Sequence, residues 1–129
     1  MSLFKSIFGD SSEEDQTSKI NWIPLNHIDQ LKEIVVSSDE KPVIIFKHST
    51  RCSISRMALK QFEREYTYSD NEVTAYFLDL LTFRDISNAI SSQFHIEHQS
   101  PQLILIKKGI AVYNASHSDI QANDLVSVL

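Results

Sequence analysis

The chain has 129 residues, of which 42% are hydrophobic and 22% charged, and its formal net charge is −5 at pH 7. These values are typical of one soluble globular domain, and the acidic balance argues against nucleic acid as a partner, because phosphate binding needs a concentrated basic face. No apolar run approaches the roughly 20 residues that span a bilayer. A single cysteine excludes a secreted disulfide scaffold. We therefore expect a cytoplasmic protein without a membrane partner.

The beginning of the chain differs in composition from the rest. Residues 10–19 are acidic and polar and have no apolar period, which is typical of a flexible lead-in. We therefore predict a flexible N-terminal segment over residues 1–19 and one folded domain over residues 20–129.

The domain opens with a strand, a helix and a second strand. Residues 20–24 predict a short edge strand that ends at Pro24. A helix capped by Asn26 follows. Its apolar positions are Ile28, Leu31, Ile34 and Val35. The continuous apolar run at residues 43–46 is typical of a central strand that is covered on both faces.

The next two helices alternate with strands. The helix after Cys52 has apolar positions at Ile54, Met57, Ala58, Phe62 and Tyr66. Residues 73–79 predict a strand. The third helix has apolar positions at Phe83, Ile86, Ile90 and Phe94.

The chain closes with a hairpin and a further helix. Residues 103–106 and 110–113 are strand-like and are joined by a tight turn at Gly109. The closing helix is predicted from Ile120, Leu125 and Val128. The order βαβαβα-ββα requires a mixed central sheet with helices on both faces. This α/β order is the thioredoxin-like arrangement.

Cys52 is the candidate nucleophile. It lies between a predicted strand and a predicted helix, where the helix dipole and unpaired N–H groups favour thiolate over thiol. Its neighbours are polar, which argues against the ordinary alternative of a cysteine buried in the core. Because the chain has no second cysteine, any redox cycle must use a thiol from elsewhere.

Two further positions fit a thiol site. Ser55 follows Cys52 by one helical turn, so its hydroxyl can reach the thiolate but cannot displace a mixed disulfide. Ser100-Pro101 precedes the strand at residue 103. In a thioredoxin-like fold this proline lies opposite the cysteine, usually with a cis bond, and leaves the preceding backbone free to pair with a disulfide-linked ligand.

Residues 46–55, Phe-Lys-His-Ser-Thr-Arg-Cys-Ser-Ile-Ser, resemble the signature of the YtxJ-type monothiol bacilliredoxins, the bacillithiol-system redox-active proteins. The resemblance runs from about residue 20 to the C-terminus. The family's usual motif is Thr-x-Cys-Pro-Ile-Ser, and here Ser53 replaces the proline. That replacement loses a preset φ at the helix start and restores an N–H that can bond the thiolate. We expect Thr50, Ser53 and Ser55 to stabilise the thiolate.

The resemblance implies a monothiol oxidoreductase that removes bacillithiol from mixed disulfides on proteins. Cys52 takes the bacillithiol, and free bacillithiol then releases it as bacillithiol disulfide. The expected partners are bacillithiolated proteins and a low-molecular-weight thiol. Bacillithiol is the expected co-substrate, and no bound cofactor is implied.

Four cations lie near Cys52 in the sequence, namely Lys47, Arg51, Arg56 and Lys60. We expect Arg51 and Arg56 to receive the malate carboxylates of bacillithiol, with Ser100 and Pro101 completing the ligand surface. A solvated helix face is the alternative for these cations. His48 is a weaker candidate for an acid or base. The remaining histidines have no metal-ligand spacing with Cys52, so no metal site is expected.

Two other functions stay open. One is a thioredoxin-fold binding or adaptor domain with an incidental cysteine. The other is a glutathione-dependent monothiol glutaredoxin, which is disfavoured because the chain lacks the Cys-Gly-Phe-Ser site and the downstream Gly-Gly pair of that family.

Overall fold

A computed structural model describes residues 20–129, and the predicted flexible segment over residues 1–19 lies outside this range. In chain order the elements are β1 (Ile23–Pro24), α1 (Gln30–Ser37), β2 (Val43–His48), α2 (Ser53–Glu65), β3 (Thr74–Asp79), α3 (Arg84–Phe94), β4 (Gln102–Lys107), β5 (Ile110–Ser116) and two 3₁₀ helices (His117–Asp119 and Ala122–Ser127).

The strands of the described region form one mixed sheet in the order β1-β3-β2-β4-β5. Strands β1 and β2 pair in parallel with β3, whereas β4 pairs antiparallel with both β2 and β5. The continuous apolar sequence of β2 agrees with its central place, because a strand with neighbours on both sides and helices on both faces buries every side chain. All six β2 residues are buried.

Helices cover both faces of the sheet, as the βαβ pattern requires. On one face, Val43 and Ile45 of β2 share a core with residues of α1 and α3. On the other, Ile44 and Phe46 share a core with Phe62 of α2 and with residues of the C-terminal segment. The alternation within β2 follows from the two-residue period of a strand. The predicted mixed sheet with helices on both faces is confirmed.

The closing helix was the least accurate element of the prediction. Residues 117–119 and 122–127 form two short 3₁₀ helices rather than one α-helix. The buried residues of this segment are Ile120, which lies between the two helices, and Ala122 and Leu125 of the second helix. This spacing follows no sustained 3.6-residue period, so short turns bury these side chains as well as an α-helix would.

The apolar face predicted for α2 was also partly wrong. Ser55 and Phe62 are its buried residues, whereas Ile54 and Met57 are 56% and 71% exposed. The stripe that meets the sheet passes through Ser55 and Phe62, seven residues apart, which is two helical turns. Ile54 and Met57 therefore lie to one side of that stripe, at the end of the helix that carries Cys52.

Candidate active site

Cys52 lies at the N-cap of α2, just after the loop that leaves β2. Its extended backbone, with φ −106° and ψ 122°, is the conformation of an N-cap residue. Its N–H donates to the carbonyl of Ser49 at 3.2 Å, and its carbonyl accepts the Arg56 N–H at 3.1 Å. The residue is partly exposed and makes no disulfide. A thiol here can meet a disulfide from solvent while facing the positive end of a 13-residue helix.

The Ser55 hydroxyl holds the loop before Cys52. Its oxygen accepts the backbone N–H of Ser49 at 3.0 Å and lies 2.8 Å from Nδ1 of His48. Ser55 is fully buried and His48 is 5% exposed. One side chain therefore joins the end of β2, the loop and the first turn of α2.

The hydroxyl of Ser55 has a hydrogen-bond partner other than the Cys52 thiolate, namely Nδ1 of His48. Burial lowers the pKa of His48, and the positive charge of Arg56 lowers it further, while Asp79 and Glu63 raise it. The net direction favours the neutral ring, and the Ser55 hydroxyl and Nδ1 share one hydrogen bond whose donor is set by the ring tautomer. Sequence spacing predicts that Ser55 can donate to the Cys52 thiolate; in the described residues, the hydrogen-bond partners of its hydroxyl are Ser49 N–H and His48 Nδ1.

Aromatic rings surround the other side of His48. The centroid of its imidazole lies 5.4 Å from that of Phe77 and 6.5 Å from that of Phe46. Trp22 packs against the same two phenylalanines, with its indole N–H donated to Glu63 at 2.7 Å. This apolar layer explains why the His48 ring is desolvated.

The remaining predicted thiolate-stabilising residues are at the surface. Thr50 and Ser53 are exposed, and the carbonyl of Thr50 accepts a hydrogen bond from the Arg56 guanidinium at 3.2 Å. Arg51 is exposed beside Cys52, and in the described part of the chain it has no ion-pair partner. Arg51 and Arg56 therefore lie on the solvent side of the Cys52 loop.

Lys47 does not join these cations. It is fully buried in β2, and its ammonium lies 2.7 Å from Nδ1 of His98. Alternate strand residues point to opposite faces, so Lys47 and His48 leave β2 on different sides of the sheet. The sequence spacing that grouped Lys47 with Arg51 was therefore misleading.

Ser100-Pro101 lies at the same end of the sheet as Cys52. The peptide bond before Pro101 is cis, in agreement with the prediction. Lys47 pairs with Gln102, so Pro101 lies next to the end of β2 from which the Cys52 loop departs. The carbonyl of Pro101 accepts the His117 N–H at 3.1 Å, and Ser100 is half-buried.

A shallow apolar groove of about 170 Å³ opens beside this site. The residues that line it are Ile54, Met57, Ala58, Gln61, His117, Ser118 and Ile120. Sequence reasoning missed this groove because Ile54 and Met57 were placed in the core by their spacing. The burial of Ser55 rotates the packed stripe of α2 away from both residues, and the apolar spacing of the sequence gives no signal of this rotation.

Two other kinds of site are absent from residues 20–129. No helix there is long and apolar enough to cross a membrane. No group of three histidine, cysteine or acidic side chains in that range is arranged to hold a metal ion.

The fold is shared by solved structures of thiol proteins. A protein assigned as an oxidoreductase with a thioredoxin fold is 31% identical, with a TM-score of 0.70 over 81% of this chain and 90% of that chain. Malassezia sympodialis thioredoxin is 20% identical, with a TM-score of 0.64 over 88% and 92% of the two chains. Spinach chloroplast thioredoxin f is 16% identical, with a TM-score of 0.60 over 88% and 94%. The last two matches, at 20% and 16% identity, show that the chain has the thioredoxin fold and nothing more.

The family model for monothiol bacilliredoxin BrxC matches residues 23–125, which include the Cys52 loop, Ser100-Pro101 and both faces of the core. With the thioredoxin-fold oxidoreductase match, this supports a thiol redox role. The chain belongs to the monothiol bacilliredoxin BrxC family.

Proposed function

We propose that this protein is a thiol–disulfide oxidoreductase that removes bacillithiol from mixed disulfides on proteins, with Cys52 as the nucleophile. The observation that carries the proposal is a partly exposed cysteine at the N-cap of α2, at the end of the sheet that also carries a cis proline, in a BrxC-family chain that has no other cysteine. A lone thiol suits a monothiol cycle, because a resolving thiol must then come from solution.

The first step transfers bacillithiol to the protein. The Cys52 thiolate attacks the bacillithiol sulfur of the substrate, which forms a Cys52–bacillithiol disulfide and breaks the substrate disulfide. The substrate cysteine leaves as a thiolate and takes a proton from water. The helix N-terminus assists by stabilising negative charge on Cys52 before the attack.

The second step regenerates Cys52. The thiolate of a free bacillithiol attacks the bacillithiol sulfur of the mixed disulfide, which yields bacillithiol disulfide and the Cys52 thiolate. Bacillithiol is therefore the reductant and no bound cofactor is needed. Stabilising the Cys52 thiolate assists this step as well, since Cys52 is now the leaving group. A separate reductase must recycle bacillithiol disulfide.

Surface charge supports bacillithiol as the co-substrate. Arg51 and Arg56 are exposed on either side of Cys52, although the chain is acidic overall. Bacillithiol carries malate carboxylates, which guanidinium groups bind well. Ser100 and Pro101 lie at the same end of the sheet, and because the Pro101 carbonyl accepts the His117 N–H, the backbone of Ser100 is the part that would pair with a disulfide-linked ligand.

The proposed partners are bacillithiolated proteins and free bacillithiol, in the cytoplasm, where thiols are kept reduced. An adaptor domain with an incidental cysteine is the second candidate. It is disfavoured because Cys52 is partly exposed at a helix N-terminus rather than packed in either core.

Intact mass spectrometry tests the proposal. Reduced protein is incubated with bacillithiol disulfide or with glutathione disulfide, and Cys52→Ala serves as the control. We expect a bacillithiol adduct on the unmodified chain only, cleared by free bacillithiol, with weaker labelling by glutathione. The absence of an adduct from either disulfide would favour the adaptor domain.

A further inference from the structure

Lys47 is an unusual residue for the middle of a sheet. Its side chain is fully buried in β2, which has paired strands on both sides. Taking an ammonium group out of water is costly unless it is hydrogen-bonded. Among the described residues, the hydrogen-bond partner of the Lys47 Nζ is His98 Nδ1, at 2.7 Å. An apolar side chain at this position would be buried without needing a hydrogen-bond partner. Packing of the sheet alone therefore does not account for the Lys47–His98 pair.

His98 belongs to the loop that carries the cis proline. This prolyl loop, residues 95–101, joins α3 to β4. Nδ1 of His98 also lies 3.3 Å from the hydroxyl of Ser87 in α3. The Lys47–His98 contact therefore ties the prolyl loop to the central strand, three residues before Pro101.

The side chain of Gln102 makes hydrogen bonds to the backbone of the same loop. Gln102 lies opposite Lys47 in the sheet and is buried. Its Nε2 donates to the carbonyl of Glu97 at 3.1 Å, and its Oε1 accepts the Gln99 N–H at 3.3 Å. Lys47 and Gln102 are paired on adjacent strands, so moving one side chain also removes packing contacts of the other.

We propose that Lys47 and His98 are positioning residues, which hold the prolyl loop where its backbone pairs with a ligand disulfide-linked to Cys52. The link is direct, because β2 supplies Lys47 and then leads into the Cys52 loop within five residues. This inference rests on the proposed function. In this inference Lys47 and His98 are needed for ligand binding, although neither residue touches the ligand.

The pair works in one protonation arrangement, with a charged Lys47 donating to a neutral His98. Burial lowers the pKa of Lys47 to about 8. Burial lowers the pKa of His98 as well, and the charges of Lys47 from β2 and Arg84 from α3 lower it further. Nearby Glu97 makes no ion pair with His98 in the described range. The contact is therefore intact at neutral pH and is lost when His98 gains a proton.

The test compares His98→Leu, which removes the acceptor, with His98→Asn, whose side-chain oxygen can replace Nδ1. The side chains of His95 and His98 are both exposed, and His95→Asn in the same loop is the control. Removal of bacillithiol from a single-cysteine bacillithiolated peptide gives KM and kcat, and iodoacetamide alkylation against pH follows the Cys52 thiolate separately. We expect His98→Leu to raise KM roughly tenfold, the effect of losing one charge-assisted hydrogen bond. The alkylation profile should not change.

The pH profile separates positioning from a general structural role. In the unmodified chain, KM should rise as the pH falls through the lowered pKa of His98, and in His98→Asn this rise should be absent. An unchanged KM in His98→Leu, an equal loss in His98→Asn, or an acid rise that persists in His98→Asn would each overturn the proposal.

Amide hydrogen exchange measures the order of the prolyl loop directly, without any substrate. The amide N–H of Gln99 and of His117 report on the loop, since they donate to Gln102 and to Pro101. We expect faster exchange of both in His98→Leu and near-normal exchange in His98→Asn. If exchange follows this pattern and the peptide is not a substrate, the positioning role stands and the proposed function fails. Unchanged exchange in His98→Leu would refute the positioning role whatever the activity.

Discussion

The hydroxyl of Ser55 lies 2.8 Å from Nδ1 of His48, at the position where a two-cysteine oxidoreductase carries its second thiol. It also accepts the Ser49 N–H, so the monothiol site uses this position to hold the loop that precedes Cys52. A buried hydroxyl with two hydrogen-bond partners stabilises the local structure around Cys52.

Ser55→Ala should destabilise the fold. The change leaves the Ser49 N–H and Nδ1 of His48 without their partner in a buried site, which costs about 1–3 kcal/mol. Urea unfolding measures the loss. The control is Ser53→Ala, which removes an exposed side chain from the same helical turn and should cost less than about 0.5 kcal/mol. Equal losses in the two variants would show that the Ser55 contacts do not matter for stability.

Ser55→Cys should convert the site to a two-thiol mechanism. The introduced sulfur lies one turn after Cys52 and can attack a Cys52–bacillithiol disulfide from within the chain. The adduct should therefore decay without added bacillithiol, releasing bacillithiol and leaving a chain two hydrogen atoms lighter than its reduced form. Mass spectrometry over time measures this. The control is Ser87→Cys on α3, whose adduct at Cys52 should persist; an equally persistent adduct in Ser55→Cys would contradict the prediction.

Stability should fall as the pH falls below about 6.5, partly because of His48. Burial lowers its pKa from the ordinary value of 6.5, so the unfolded chain takes up a proton at a higher pH than the folded chain. The loss grows through this interval and levels off once the folded His48 is also protonated. Urea unfolding across pH 5–8 measures it.

His48→Asn should reduce this acid loss, since its amide oxygen can accept the Ser55 proton and does not titrate. The exposed His95→Asn should retain the whole decline. The prediction is contradicted if the two variants lose stability equally on acidification.

The rotation of α2 predicts a sharp contrast between two apolar residues of one helix. Phe62 is fully buried, so Phe62→Ala should cost about 3–5 kcal/mol. Met57 is 71% exposed, so Met57→Ala should cost less than about 0.5 kcal/mol. Thermal and urea unfolding measure both. A large loss in Met57→Ala would mean that the helix packs through the face that the sequence spacing first indicated.

Arg51→Ala and Arg56→Ala should raise the KM for bacillithiol in the second step by roughly three- to tenfold each, which is the effect of one partly exposed charged contact. The alkylation rate of Cys52 should change less. Lys32→Ala, an exposed change on α1, is the control. If neither arginine variant differs from the control, these cations belong to a solvated helix face.

The sequence by itself determined the order of the elements from β1 to β5, the central place of β2 and the position of Cys52. Local patterns decide these features: four consecutive apolar residues need cover on both sides, and a polar turn before a helical period puts Cys52 at a helix start. The cis proline was expected from the thioredoxin-like order, and it is present.

Only the tertiary structure decided which side chains of a helix or strand are buried and which residues they contact. Lys47 and Arg51 are close in sequence, yet the strand period sends Lys47 to a buried contact with His98, which is distant in the chain. The apolar period of α2 favours burial of Met57 over Ser55, yet packing against the sheet buries the serine and exposes the methionine. A short sequence pattern specifies the period of an element, whereas its rotation depends on contacts with residues far along the chain.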